Sequence, residues 1–356
     1  MDHRKIQIIP ITFILFQFIL FNCNNLLKSN NKKDKKHPTE YTWTIDTLDL
    51  SVVSSRFRPT DILYIDEDDI YIFGENSYYN DVYWHYDGVE WRDTTILSMI
   101  RDILAVEEIS GTIYGAGDTK WYLPEGVDFQ GSIVRFNGSQ WQQVFYAHVD
   151  GQKGASFYDI WGNSEDNIWA GGPYGLLYHY NGQEWEDYCF PDTIHIINFS
   201  GSDSENLYAI GYYIDNVGIN GYFLKWTGES WIIENQFQKN RAEYLFHSFG
   251  FLDIYVTNDY IYSCGEGVFR KKRDDEEWQK LYQDSQSKYW DVSGSGLDHI
   301  YFVGEGGNAD FWNGDECFCL DSIYYPEITY NKVWTDGKQV IIVGYSDNTT
   351  YVMRGE

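Results

Sequence analysis

The chain has 356 residues, with 54 Asp+Glu against 26 Lys+Arg and a formal charge of −28. At 43% apolar and 19% aromatic content it can bury a core, which excludes disorder over most of its length. A surface this acidic has no counterions to release from a phosphate backbone, which argues against nucleic acid, and a single long apolar run excludes a multi-span membrane protein.

Arg4 and Lys5 precede an apolar run over residues 6–21. As a helix it would span about 24 Å, short of a ~30 Å bilayer core, so residues 1–22 read as an export signal. Leu20, Phe21, Asn22 and Cys23 follow. A Leu three places before a Cys resembles a bacterial lipoprotein box, with Asn22 standing where that family has a small residue. The resemblance implies lipidation at Cys23; a plain secretory signal cut nearby is the alternative reading. Residues 23–38 hold Lys28, Lys32, Lys33, Lys35 and Lys36 among Asn and Ser, which predicts a flexible basic tether. Residues 39–356 then carry 19 basic and 52 acidic side chains, a net charge of −33.

From residue 39 onward the sequence repeats. One unit is an aliphatic, usually an aromatic, two residues, then Gly, ending at Gly74, Gly117, Gly172, Gly211, Gly265, Gly304 and Gly344. The mean spacing of these glycines is 45 residues. A second unit, Asp or Asn, Gly, two residues, Trp, ends at Trp91, Trp141 and Trp185; looser copies end at Trp231 and Trp278, and the last has Cys317. Asn-Gly and Asp-Gly between alternating runs signal hairpins. A third unit pairs an acidic or amide residue with an apolar one: Asp61, Asp102, Asp159, Asn198, Asp253 and Asp291, with Lys332 in the seventh copy. It precedes the glycine by twelve to fifteen residues.

Each period therefore reads as four short antiparallel strands, A to D. Strand A starts at the Asp, B ends at the Gly, C enters the Asn-Gly turn and D starts near the Trp. Four-stranded repeats of this length predict an all-β fold, a seven-bladed β-propeller over residues 39–356. The seventh period stops before a strand D, while Trp43 stands unmatched in an alternating segment at the start. That segment is expected to complete the last blade and close the ring.

Blade 3 reads Trp161-Gly162, Ile168-Trp169, Gly172, then His179-Tyr180-Asn181-Gly182 and Trp185. It resembles the W-G-x-S…V-W-A-V-G…G…H-Y-[DN]-G-x-x-W repeats of exported bacterial β-propeller proteins. The resemblance covers about residues 41–356. It implies an envelope or extracellular propeller and assigns no activity.

Two candidate sites follow. The Asp column, Asp61, Asp102, Asp159, Asn198, Asp253, Asp291 and Lys332, is expected to ring the central channel at the face formed by the D–A and B–C loops, called here the top. Convergent carboxylates suit a basic ligand or a hard cation such as Ca²⁺, the one cofactor this chemistry admits; no other is expected. Alternatively each Asp caps backbone N–H groups between neighbouring blades. The long B–C loops of blades 1, 2 and 4 carry Tyr78, Tyr79, Trp121, Tyr122, Phe129, Tyr212 and Tyr213. With Asp81, Glu125, Asp128 and Asp215 among them, they suit sugar rings or a partner's basic side chains. A further column six places before each Trp, His85, Arg135, His179, Lys225 and Lys272, is read as local pairing and stacking.

Cys189, Cys264, Cys317 and Cys319 have neither zinc spacing nor the density of a disulfide scaffold. G-x-S-x-G, H-E-x-x-H and P-loop motifs are absent from the sequence. The sequence thus reads as a non-catalytic propeller, exported and lipid-anchored in the cell envelope, binding an envelope protein or glycan on its top-face loops. Two alternatives stand beside it: a carbohydrate-active enzyme using carboxylates at the channel mouth, and a structural component of an envelope complex.

Overall fold

The computed structural model describes residues 37–49, 57–76, 82–95, 100–119, 131–138, 140–147, 156–188, 194–216, 218–240, 251–281 and 288–356. They form seven four-stranded antiparallel sheets, each a blade of one propeller. The inner strands are Phe57–Asp66, Ile100–Ile109, Asp159–Ser164, His195–Gly201, Asp253–Val256, Tyr289–Gly294 and Thr329–Thr335. In blades 1 to 6 the four strands are consecutive in the chain. In blade 7 the outer strand is Trp43–Leu48, which pairs with Thr349–Gly355 from Trp43 opposite Gly355 to Leu48 opposite Thr350. The ring closes on the strand expected to close it.

Local chemistry explains the repeat. Asp87 Oδ1 accepts from the N–H groups of Val89 and Glu90, and Asn181 Oδ1 from those of Gln183 and Glu184, at 2.9–3.1 Å. Each side chain thus closes its own C–D turn, with the following glycine at positive φ. The glycine ending each second strand serves a different need. A Cβ on Gly117 would overlap the Asp102 carbonyl, and one on Gly304 the Lys288 carbonyl, so only glycine lets the inner strand approach.

The core is divided among the blade interfaces. Seven buried clusters each join two neighbouring blades: Leu63, Phe73, Ile103 and Val134 join blades 1 and 2, and Ile72, Trp84, Ile341 and Val352 join blades 7 and 1. A single blade buries little alone, so stability comes from stacking the ring.

Five of the seven inner strands also share a defect. Pairing with the second strand shifts register between Pro59 and Asp61, Ile103 and Ala105, Ile196 and Asn198, Tyr289 and Asp291, and Tyr330 and Lys332. One residue bulges there, and the bulge re-aims the side chain that follows it.

Candidate functional site

The register defines the ring at the channel. Asp61, Asp159, Asn198, Asp253, Asp291 and Lys332 each stand opposite the residue preceding the repeat glycine, namely Phe73, Gly171, Ile210, Cys264, Val303 and Val343. In blade 2 that place, opposite Ala116, belongs to Ala105. Asp102 lies three residues earlier, opposite Asp118, so it is not a ring member. An Asp-Ile pair ahead of the bulge at Leu104 imitates the motif, and its fifteen-residue distance from Gly117, against twelve or thirteen elsewhere, marks the difference.

The ring carboxylates bind backbone. Asp61 accepts from the N–H of Ile62 in its own blade at 2.9 Å and from Val106 of blade 2 at 2.7 Å. Asp159 accepts from Ile160 and from Phe199 of blade 4, the latter at 2.6 Å. Asp253 accepts from Ile254 at 2.9 Å and from Val292 of blade 6 at 2.8 Å. Asp291 accepts from Val333 of blade 7 at 2.7 Å and, on its other oxygen, from Lys332 Nζ at 2.8 Å. The N–H after the ring position is thereby bonded in all seven blades. Ala105 and Lys332 have no side-chain acceptor to offer, and Asn198 Oδ1 is buried without a partner. Each of these three precedes a blade whose own Asp bonds its own N–H as well.

Electrostatics within the ring follow from burial. It pushes Asp61 up to about 6 and Asp159 up to about 7 from an ordinary 3.8, against the pull of Lys332 and the backbone donors. Burial, then the neighbouring Asp291, raises Asp253 well above its usual range. Glu107, two residues beyond Ala105, is raised by burial and by Asp61 and Asp159. Burial opposes the Lys332 charge, but Asp291, Asp61 and Asp253 outweigh it and raise its pKa well above normal. Among the described residues no group of three or more His, Cys, Asp or Glu is placed to hold a metal ion.

The second column pairs and stacks locally. His85 Nε2 lies 2.7 Å from Asp69 and its ring stacks on Tyr71 at 4.3 Å; His179 bonds Asn167 at 2.7 Å and stacks on Trp169 at 4.3 Å. Register again corrects one member. Arg270, not Lys272, stands opposite Tyr262, and it lies over Tyr260 and Trp312 at 5.0 and 4.8 Å.

Of the loop aromatics expected to bind, Tyr78, Tyr79, Trp121, Tyr122 and Phe129 lie outside the described residues, as does Cys23. Tyr212 and Tyr213 belong to the strand Leu207–Ile214, opposite Gly221 and Asn220, so the long loop expected there is a ladder. Asp215 closes its turn, accepting from Gly218 N–H at 2.8 Å and Asn220 Nδ2 at 3.1 Å. Tyr212 stacks on His195 with centroids 4.8 Å apart and planes 7° apart. Tyr174, in a turn of blade 3, has its ring centroid 4.8 Å from the same imidazole, tilted 53° against it. Tyr158 directly precedes the inner strand of blade 3 and donates its N–H to the Gly171 carbonyl at 2.7 Å; its phenol is pushed up to about 12 by burial, then by Tyr212, Tyr174, Asp118 and Glu75. Sequence reasoning missed Tyr158, Tyr174 and His195. Their one signal was position: Tyr158 precedes a ring Asp and Tyr174 sits between Pro173 and Gly175.

The bottom face carries a groove of about 680 Å³ between blades 1 and 2, lined by Ile65, Tyr71, Glu108, Arg135 and Phe136. It lies away from the aromatic group. Two of its acids are already engaged, Asp69 by His85 and Glu108 by the Gly111 N–H.

No family model and no curated protein matches the chain. Solved structures match its fold. YCF48 bound to D1 peptide is 14% identical with a TM-score of 0.59, over 86% of this chain and 96% of that one. YCF48 from Cyanidioschyzon merolae is 13% identical with a TM-score of 0.59, over 87% and 98%. The WD40 β-propeller domain of Doa1 is 13% identical with a TM-score of 0.58, over 88% and 97%. Identity this low shows the fold alone.

Proposed function

We propose that this chain is a non-catalytic propeller, exported by residues 1–22 and anchored through Cys23, that binds a protein partner on its top face. The observation that carries the reading is the gathering of Tyr158, Tyr174, His195 and Tyr212 from two blades on that face. Aromatics held on a rigid scaffold concentrate binding energy. The ring carboxylates support a scaffold, since their oxygens hold neighbouring blades together. YCF48, of like fold, is seen with a peptide, so peptide capture suits the architecture.

Orientation fits an anchored binder. The closing strand runs from the bottom at Trp43 to the top at Leu48, and Tyr41 contacts His299 on the bottom side. The chain therefore enters the propeller on the face opposite the aromatic group.

The test is capture from envelope extract by the full chain and by a Tyr174→Gly, Tyr212→Ser double variant. A protein retained by the parent and lost by the variant supports the reading; equal retention by both removes the top face from it. A second reading, a carbohydrate-active enzyme, is favoured by Asp159, which keeps a proton near neutral pH. Glycan turnover abolished by Asp159→Asn would replace the binder with the enzyme. Mature protein whose Cys23 carries no lipid would end the anchored form.

A further inference from the structure

We propose that Tyr158, Tyr174 and Tyr212, with the carboxylates of Glu75 and Asp118, form a top-face site for an arginine or lysine side chain of a protein partner. The inference rests on the top-face reading above and gives it a ligand chemistry. Four blades contribute: Glu75 from blade 1, Asp118 from blade 2, Tyr158 and Tyr174 from blade 3, Tyr212 from blade 4.

The rings form a wall. Tyr174 and Tyr212 each approach His195 at 4.8 Å, and Tyr174 is 39% exposed, so its ring is reachable. Burial lowers the His195 pKa, which keeps the imidazole neutral at pH 7 and removes a charge that would repel a cation. Ser156 donates to Asp118 at 3.1 Å and Phe157 N–H to the Gly117 carbonyl at 3.0 Å, which sets Tyr158 beside the end of the blade 2 strand that carries Asp118; after burial, Tyr212, Tyr174, Asp118 and Glu75 raise its phenol. Asp118 is itself buried. Arg58, across the ladder from Glu75, lies over the Tyr345 ring at 5.7 Å. A cation over an aromatic face is attracted by the ring quadrupole, more strongly where water is thinned and carboxylates stand near.

The backbone adds an independent sign. Tyr174 has φ 57°, in the left-handed region, followed by Gly175 at φ 75°. A bulky L residue is strained there, and glycine would make the same turn freely. Strain retained for a half-exposed ring points to a use for the ring. The same fact supplies a fold-preserving variant, Tyr174→Gly.

The full chain should be titrated by NMR, at physiological salt, with acetyl-Gly-Gly-Arg-Gly-Gly-amide and with the same peptide carrying neutral citrulline. The expected result is a preference for arginine of about tenfold, reduced at least about fivefold by Tyr174→Gly. Tyr146→Ser, on the outer strand of blade 2, should leave it intact. Equal affinity for both peptides overturns the inference, as does an arginine preference untouched by Tyr174→Gly. Binding of a neutral oligosaccharide in place of either peptide overturns it too. If envelope capture still depends on Tyr174 while arginine is not preferred, the cation chemistry falls and the top-face reading stands.

Discussion

Asp159 shows what one ring residue must balance. Its carboxylate accepts from Ile160 and Phe199, so removing it leaves two backbone donors short of an acceptor. Burial meanwhile raises its pKa to about 7 and that of Asp61 to about 6, from an ordinary 3.8. Both groups hold more protons folded than unfolded between about pH 4 and 7. Their favourable contribution is complete below about pH 4 and is lost as pH rises through 6 and 7. Urea unfolding should therefore show stability falling from pH 5 to pH 8, by about 1–3 kcal/mol across the ring. Asp159→Asn keeps an acceptor for Phe199 and removes one titrating group, so its profile should be flatter; Asp159→Ala should be less stable at every pH. Stability that climbs over this window would contradict the buried ring.

At the scale of the strand, much was legible because the repeat is made of local chemistry. Asn-Gly turns close through their own side chains, the repeat glycines admit a neighbouring carbonyl, and the unmatched Trp43 announced the closing strand. What misled was the register of blade 2. Blade 2 has the bulge of four other blades just before Ala105 and a further register shift between Ile100 and Asp102, so the Asp-Ile pair stands three places before the ring position and only the ladder reveals Ala105. The capping of N–H groups between blades was one of the two readings of the Asp column; which N–H each Asp takes was illegible, since the partners lie about forty residues apart. Tyr212 was placed on the right face but in a loop, because a hairpin extended past its blade reads like one. The closing strand gives the test at this scale. It buries Leu48 to 3% exposure and covers the edge of Thr349–Gly355. Deleting residues 37–48 exposes that edge and costs several kcal/mol of packing, with about 1.5–3 from Leu48 alone. Size-exclusion should show association in place of monomer, and a peptide of residues 39–49 should restore the monomer. A deletion variant that stays monomeric with an unchanged melting midpoint would show that the last blade needs no outer strand.

Across the whole molecule, two electrostatic effects oppose one another under salt. Residues 39–356 carry a net charge of −33, and like charges spread over one closed ring repel. Against this stand ion pairs such as Arg92 with Asp87 and Glu90, on an arginine side chain 62% exposed. Exposed pairs of that kind contribute about 0–1 kcal/mol each and weaken in salt. Lys332 is different, because its partners are buried and screening reaches them poorly. Salt therefore removes little attraction and much repulsion. Raising ionic strength from 0.01 to 0.15 M shortens the screening length from about 30 to about 8 Å, well below the separation of charges on opposite blades. The melting midpoint should rise by roughly 1–2 °C, the equivalent of about 1 kcal/mol in a domain of this size. A midpoint that falls with salt would mean that surface pairing, not self-repulsion, sets the balance. The same repulsion faces every acidic neighbour and is relieved by every basic one, so a partner bearing arginine or lysine at the top face gains from the charge of the entire ring as well as from the three tyrosines.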